Sequence, residues 1–410
     1  MKWRTFIAVV AGGLLASSLT SQAQQASKGT PSPGTVWINP GDPIPARQWV
    51  ERLSHIPSDN CNFASNSDSI WNVEKCSGFP PSKHARIFYH RPSKSMVFAG
   101  GDRPVSMSHP SYYDGTGSEI VAVNVETNTW KILRPFCVPG EVQPNRPDTS
   151  PWAYDSKRDQ GILTPGYFLM SGSGCGALER WGAFAFDFGS SKYLDAAAAG
   201  LPAPPPGSGG AGWGGDEGAS FGFYVATTDE FCRLRNGPRL ECLNRTTKVW
   251  RIRSLSVGKP WNPVPHRAQP VLDEQEQFVY WLDIWGEARS ATTPGPPMLA
   301  KTRLVDGRTV RIPLPPEWRP VEGYGNDMYL AFDTINRLVL IPNQFGMGTS
   351  GLFGLGIYHV DTGAWEWDTK VPPAVQGSVW GFDENLGALV GFGKRTQPYG
   401  YFIWKYGPKP

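Results

Sequence analysis

The sequence is as informative in what it lacks as in what it holds. No segment shows sustained helical periodicity, which favours an all-β chain over helical or alternating classes. Past the first two dozen residues no run approaches the roughly 18 apolar residues of a membrane-spanning helix, so no membrane span is expected. Neither sign of charge dominates: 39 Lys and Arg stand against 36 Asp and Glu, a net +3. The basic residues are scattered, so no nucleic-acid footprint and no polybasic membrane patch is expected. There is no Cys-x-x-Cys pair and no Cys near a His at ligand spacing, so a structural metal site is not expected. There is no Gly-x-Ser-x-Gly for a serine hydrolase, and Gly172-Ser173-Gly174 reads as a flexible turn. What remains abundant is 47 Gly, 39 Pro and 17 Trp, the composition of short strands, many turns and large packed rings.

The stretch from Met96 to Trp130 shows the pattern most clearly. Met96-Val97-Phe98-Ala99-Gly100-Gly101 is an apolar β-type run ending in a Gly pair. After a polar loop, Ile120, Ala122 and Asn124 alternate with Val121, Val123 and Val125. Glu126-Thr127-Asn128 turns the chain, and Trp130 begins a third run. Strand, loop, strand, turn, strand is predicted, the unit from which a β-propeller is assembled.

The unit recurs every roughly 45 to 65 residues. His84 to His90 opens the first. Later units open at Pro151–Asp155, Ala219–Thr227, Ala268–Asp273, Met328–Asp333 and Ser378–Asp383. An Asp ends the opening strand at Asp155, Asp273, Asp333 and Asp383, where it can bond its own turn. A Trp opens the last strand at Trp130, Trp250 and Trp365, where the ring can wedge between sheets. Six units are counted, with a seventh blade as the alternative. The sixth lacks its last strand, and Arg47 to Leu53 has the right shape to supply it. That pairing would join first to last and remove a free sheet edge.

The N-terminus predicts export. Lys2 and Arg4 precede the apolar stretch Phe6 to Leu19, and Ser21-Gln22-Ala23 offers a small-x-small cleavage site. The predicted organisation is a signal peptide at 1–23, an N-terminal extension at 24–46, and a single propeller domain at 47–410. That domain includes the closing strand 47–53 and an insertion at 58–82. A secreted or periplasmic monomer is expected.

Export makes disulfides the default for six cysteines. Cys232 and Cys242 flank the turn Asn236-Gly237-Pro238 symmetrically, so that hairpin would bring the sulfurs together. Cys61 and Cys76 bracket a Ser/Asn-rich loop and are expected to close it. Cys137 and Cys175 are left for each other.

The Gly100-Gly101 pair, the alternating strand after it and Asn128-Thr129-Trp130 resemble a kelch repeat. The chain as a whole is similar to the kelch and galactose-oxidase-like family of β-propellers, with each later repeat degenerate. The resemblance implies a ring with its function at one mouth. If strands run inner to outer, the long loops share one face: 102–118, 166–180, 286–297 and 344–355, with the blade links 135–150, 195–218 and 315–326.

Residues just before the inner strands should line that mouth: His84, Asp216, Glu217, His266, Arg267, Asn326 and Asp327. Arg103, His109, Tyr112, Tyr113, Arg180, Trp213 and Trp285 should stand around it from the loops. Aromatic faces with a few convergent polar groups suit a carbohydrate or another small polar ligand, or a protein partner. The alternative is a sugar-modifying enzyme, epimerase- or mutarotase-like, with His84, Glu217 or Asp327 as proton donor and acceptor. Copper radical oxidation, which the family resemblance raises, is the lesser alternative, because the cysteines pair off and no further domain brings a ligand. No metal and no cofactor is expected.

Overall fold

A computed structural model describes residues 31–53, 86–99, 120–134, 138, 140–144, 152–164, 178–180, 183–203, 205, 222–235, 239–256, 269–283, 298–315, 329–342, 354–368, 371, 379–392 and 400–407. These belong, from Ser32 on, to one compact unit. It is all-β, with six antiparallel sheets arranged as the blades of a propeller.

The first blade is Arg86–His90, Ser95–Ala99, Ile120–Asn124 and Thr129–Arg134. The second is Trp152–Asp155, Gln160–Leu163, Phe184–Asp187 and Lys192–Asp195. The third is Gly222–Val225, Glu230–Arg235, Arg239–Asn244 and Trp250–Ser254. The fourth is Val271–Asp273, Phe278–Asp283, Met298–Arg303 and Thr309–Pro313. The fifth is Ala331–Asp333, Leu338–Pro342, Leu355–His359 and Trp365–Asp368. In each of these blades the strands pair in chain order, the first strand innermost. Each inner strand lies beside the next around the ring, and the sixth, Val379–Asp383, lies beside the first, Arg86–His90.

The sixth blade continues with Ala388–Phe392 and Gly400–Trp404, and its fourth strand is Trp49–Leu53. This strand runs antiparallel to Gly400–Trp404, with Trp49 opposite Trp404 and Leu53 opposite Gly400. A fifth strand, Val36–Trp37, runs parallel to it, inside the segment expected to be an N-terminal extension. Buried Glu51 anchors this segment by accepting hydrogen bonds from Ser32 N at 2.9 Å and Thr35 Oγ1 at 3.0 Å.

The middle strands are buried on both sides. Ser95–Ala99, Leu338–Pro342, Ala388–Phe392 and Gly400–Trp404 have no exposed residue. The cause is geometric: alternate side chains point to opposite faces, and here each face packs on a neighbouring blade. The apolar core is accordingly divided among the clefts. Val97, Trp152 and Phe186 fill the cleft between blades one and two; Ile162, Phe231 and Leu243 that between two and three. Cys232, Trp281 and Ala300 join three to four, and Tyr280, Val339 and Tyr358 join four to five. One larger cluster spans blades five, six and one. The outer strands of blades one, three and four carry Ile132, Ile252 and Val310 at the surface.

The Trp that opens a last strand wedges between blades. Trp130 of blade one packs on Phe392 at 6.0 Å and Tyr401 at 6.2 Å, both of blade six. The ring that opens the last strand of blade two is supplied by Tyr193, packed on Trp152 and Phe186. Cys232 and Cys242 face each other in the ladder and are joined, with Cα atoms 4.1 Å apart. Cys61, Cys76, Cys137 and Cys175 lie outside the described residues. One two-stranded parallel pair, Val142–Pro144 with Leu178–Arg180, falls in segments expected to be loops. Its short strands lack the alternation that marks the blades.

Candidate functional site

The two ends of the ring are built differently. At one end, each blade turns from its first strand to its second over four residues. The flanking residues pair in the same register every time: His90 with Ser95, Asp155 with Gln160, Val225 with Glu230, Asp273 with Phe278, Asp333 with Leu338 and Asp383 with Ala388. The last turn residue is left-handed in all six, from Lys94 at φ 49° through Asp159, Asp229, Gln277 and Arg337 to Gly387 at φ 59°. The recurring Asp does what its position predicts: Asp155, Asp333 and Asp383 each accept two turn N–H groups, and Asp273 accepts one.

These turns are also bonded to one another. His90 Nε2 meets Asp159 Oδ1 at 2.7 Å, joining blades one and two. Arg158 donates to Asp229, and Arg245 to Asp155, joining two and three. Thr227 N donates to Glu274 Oε1, joining three and four. Arg337 reaches Asp273 and Glu276, joining four and five. Arg91 Nε donates to Glu384 Oε2 at 2.6 Å, joining one and six. Between five and six, Ile335 packs against Gly387.

The electrostatics follow from these contacts. Hydrogen bonds from Arg158 hold the Asp229 carboxyl well below the usual carboxylate range, against burial. Burial pushes Asp383 up to about 6, against the N–H groups of Leu386 and Asn385. Nearer the rim, burial would raise Glu366, but hydrogen bonds from Arg47, Tyr406 and His359 bring it down to about 2.

At the other end leave the longer connections, 100–119, 164–183, 284–297 and 343–354 within blades, and 135–151, 196–221 and 314–330 between them. Just beneath this end the described strands carry buried charges. Arg134, at the end of its strand, pairs with Glu141 at 2.8 Å and stands over the Tyr193 ring. Arg233 pairs with Glu241 at 2.8 Å and donates to Thr164 Oγ1 at 3.1 Å. Arg311 donates to Asp283 Oδ2 at 2.8 Å. Arg86, fully buried, begins the innermost strand of blade one. Such pairs hold strand ends in place, since a buried charge needs its partner in fixed geometry. None of these is among the loop residues expected at the mouth from sequence. The available signal was a charge at an inward-facing strand position, as in Phe231-Cys232-Arg233-Leu234.

Of the residues expected at the mouth, Arg180 falls in a described strand, where it lies opposite Pro144. His84, Arg103, His109, Tyr112, Tyr113, Trp213, Asp216, Glu217, His266, Arg267, Trp285, Asn326 and Asp327 lie outside the described residues. Among the described residues, Glu230, Cys232 and Cys242 sit together with ligand-type atoms within 4.8 Å. The two sulfurs are bonded to each other, so neither is available as a thiolate. No helix among the described residues is long and apolar enough to cross a membrane.

No protein-family model and no curated protein matches the sequence. Among solved structures the chain is similar to TolB from Acinetobacter baumannii, at 11% identity and TM-score 0.40, over 69% of this chain and 54% of that one. It is similar to a structural genomics protein of unknown function from Bacteroides thetaiotaomicron, at 8% identity and TM-score 0.43, over 76% of this chain and 66% of that one. It is likewise similar to an auxiliary nutrient binding protein from the same organism, at 8% identity and TM-score 0.43, over 80% and 69%. The chain thus spans less than two thirds of the length of the first two. The six blades rest on strand pairing and on the ring of inner strands.

Proposed function

We propose that this chain is an exported binding propeller whose long-connection end takes a carbohydrate or another small polar ligand. One observation carries the reading: every four-residue inner turn is at one end and bonded to or packed on the turns beside it, while the long connections leave from the other. Function concentrates on long loops held by a rigid scaffold. The residues proposed to meet the ligand are His84, Arg103, His109, Tyr112, Tyr113, Arg180, Trp213, Asp216, Glu217, His266, Arg267, Trp285, Asn326 and Asp327. The kinship proposed is with kelch-type propellers, on the Gly100-Gly101 unit. Export is proposed from residues 1–23 and accords with the Cys232–Cys242 disulfide.

A glycan array on purified protein tests the reading. Binding should be lost in Trp213→Ala or Trp285→Ala, with unfolding unchanged. Absence of binding to any glycan or small polar ligand would sink it. The rival reading is a sugar-modifying enzyme at the same mouth, with His84, Glu217 or Asp327 moving the proton. It predicts turnover of a bound sugar, abolished by Glu217→Gln or Asp327→Asn with binding retained.

A further inference from the structure

At the short-turn end, between blades two and three, three cations face two carboxylates. Arg158, Arg245 and Lys248 stand around Asp155 and Asp229. Both carboxylates are already fully engaged. Asp155 accepts from Lys157 N, from Arg158 N and Nη1, and from Arg245 Nε. Asp229 accepts from both terminal nitrogens of Arg158, from Tyr224 OH at 2.7 Å and from Thr246 Oγ1 at 2.5 Å. A carboxylate offers about four acceptor positions, so neither has capacity left.

Two donors remain unmet. Arg245 is 1% exposed, and its Nη1 is buried with no hydrogen-bond partner among the described residues. Its other nitrogens are used, Nε on Asp155 and Nη2 on Gln160 Oε1 at 3.2 Å. The Lys248 ammonium makes no ion pair among the described residues. It reaches across to blade two and lies 3.0 Å from where a side chain on Gly200 would begin. Gly200 is held at φ 59° by the turn after Lys192–Asp195, so this approach depends on a glycine there. Burial first, then Arg245 and Arg158, push the Lys248 ammonium down, despite Asp229 and Asp155. Burial also pushes the Arg245 guanidinium down. An ammonium with no ion pair among the described residues and a guanidinium N–H with no partner are donors left over for an oxyanion.

We propose that the cleft between blades two and three binds a small tetrahedral oxyanion of the phosphate class through Lys248 Nζ and Arg245 Nη1. None of its residues is among those proposed to meet the carbohydrate, so either can fail without the other.

The test is thermal unfolding and calorimetric titration of the full chain with millimolar inorganic phosphate, then with sulfate, each against sodium chloride at matched ionic strength. Both oxyanions should raise the melting temperature and give one saturable site. Lys248→Gln, on an exposed residue, should weaken phosphate binding at least about tenfold, the equivalent of one lost charge-assisted hydrogen bond. Its unfolding in chloride should be unchanged. Lys157→Gln removes an exposed charge from the same end and should leave phosphate binding intact. Lys248→Glu places a carboxylate in the oxyanion's position and should abolish the response to phosphate. Absence of a saturable site in the wild type, or an equal response in wild type and Lys248→Gln, overturns the proposal.

Discussion

Arg158 of the second blade holds Asp229 of the third through both terminal nitrogens, at 2.7 and 2.8 Å. The same guanidinium reaches Asp155 on its own turn at 3.0 Å. One side chain therefore closes its own hairpin and joins two blades. Arg158→Ala leaves two inward carboxylates short of a partner. The expected loss is about 1–3 kcal/mol, read as a lower urea midpoint at pH 7. Because the Asp229 pKa is depressed by folding, this contribution is present above its unfolded value near about 4 and fades as pH falls below it. The gap between wild type and Arg158→Ala should therefore narrow in acid. A gap of constant size would contradict the ion-pair account.

Asp383 should show the opposite slope. Folding raises its pKa to about 6, chiefly by burial. A raised carboxyl favours the native state fully below its unfolded pKa and loses that contribution as pH rises through about 6. Asp383→Asn keeps an Oδ1 acceptor for Asn385 N and Leu386 N, which Asp383 serves at 3.0 Å each, and cannot ionise. The variant should be at least as stable as wild type at pH 7.5 and lose its advantage by pH 5. Urea unfolding of both proteins at the two values decides it, and a variant less stable at pH 7.5 would refute the burial argument.

The strand Trp49–Leu53 brings Trp49 and Val50 into the core of blade six and sends buried Arg52 to the Val125 carbonyl of blade one. A chain beginning after residue 53 would expose the edge of Gly400–Trp404, itself fully buried in the intact protein. Such a truncation should lose its cooperative thermal transition and become sensitive to limited proteolysis. A truncated chain that melts as sharply and as high as the intact one would show that the ring does not need this strand.

Gly391 lies under the buried ring of Trp380, which would clash with any Cβ at that position. Trp380 is in turn packed on Trp49 at 5.7 Å and cannot withdraw. Gly391→Ala should cost about 1–3 kcal/mol, as overpacking of a closed core does. Gly41→Ala, where nothing lies within 4 Å, is the control for a left-handed glycine in open space, at φ 83°. It should cost no more than about 1–2 kcal/mol, from backbone strain alone. If Gly391→Ala cost no more than this control, the cleft would be looser than the structure indicates.

The repeats themselves were readable in the chain because their causes are local. Alternation in Ile120–Asn124, the Asp that caps its own turn and the Trp at the head of a last strand each act within a few residues. Cys232 and Cys242 were readable for the same reason, since the turn between them places them opposite each other. The regularity of the inner turns was hidden. Arg91-Pro92-Ser93-Lys94 and Thr334-Ile335-Asn336-Arg337 share no residue at an equivalent position, yet both end in a left-handed residue, at φ 49° and 56°. That backbone state is set by hairpin register, and Lys, Asp, Gln, Arg and Gly all occupy it.

By itself the sequence determined the class of element, the six repeats and the single disulfide described, because periodicity, turn chemistry and Cys spacing are properties of neighbouring residues. Which blades touch, and through what, was decided only in three dimensions. His90 with Asp159, Arg158 with Asp229 and Trp49 with Trp404 are 69, 71 and 355 residues apart in the chain. Partnership over such distances depends on ring closure, which places the turns of successive blades side by side. No local pattern could have announced those pairs, and the unmet cations at Arg245 and Lys248 became visible only once the carboxylates around them had been counted.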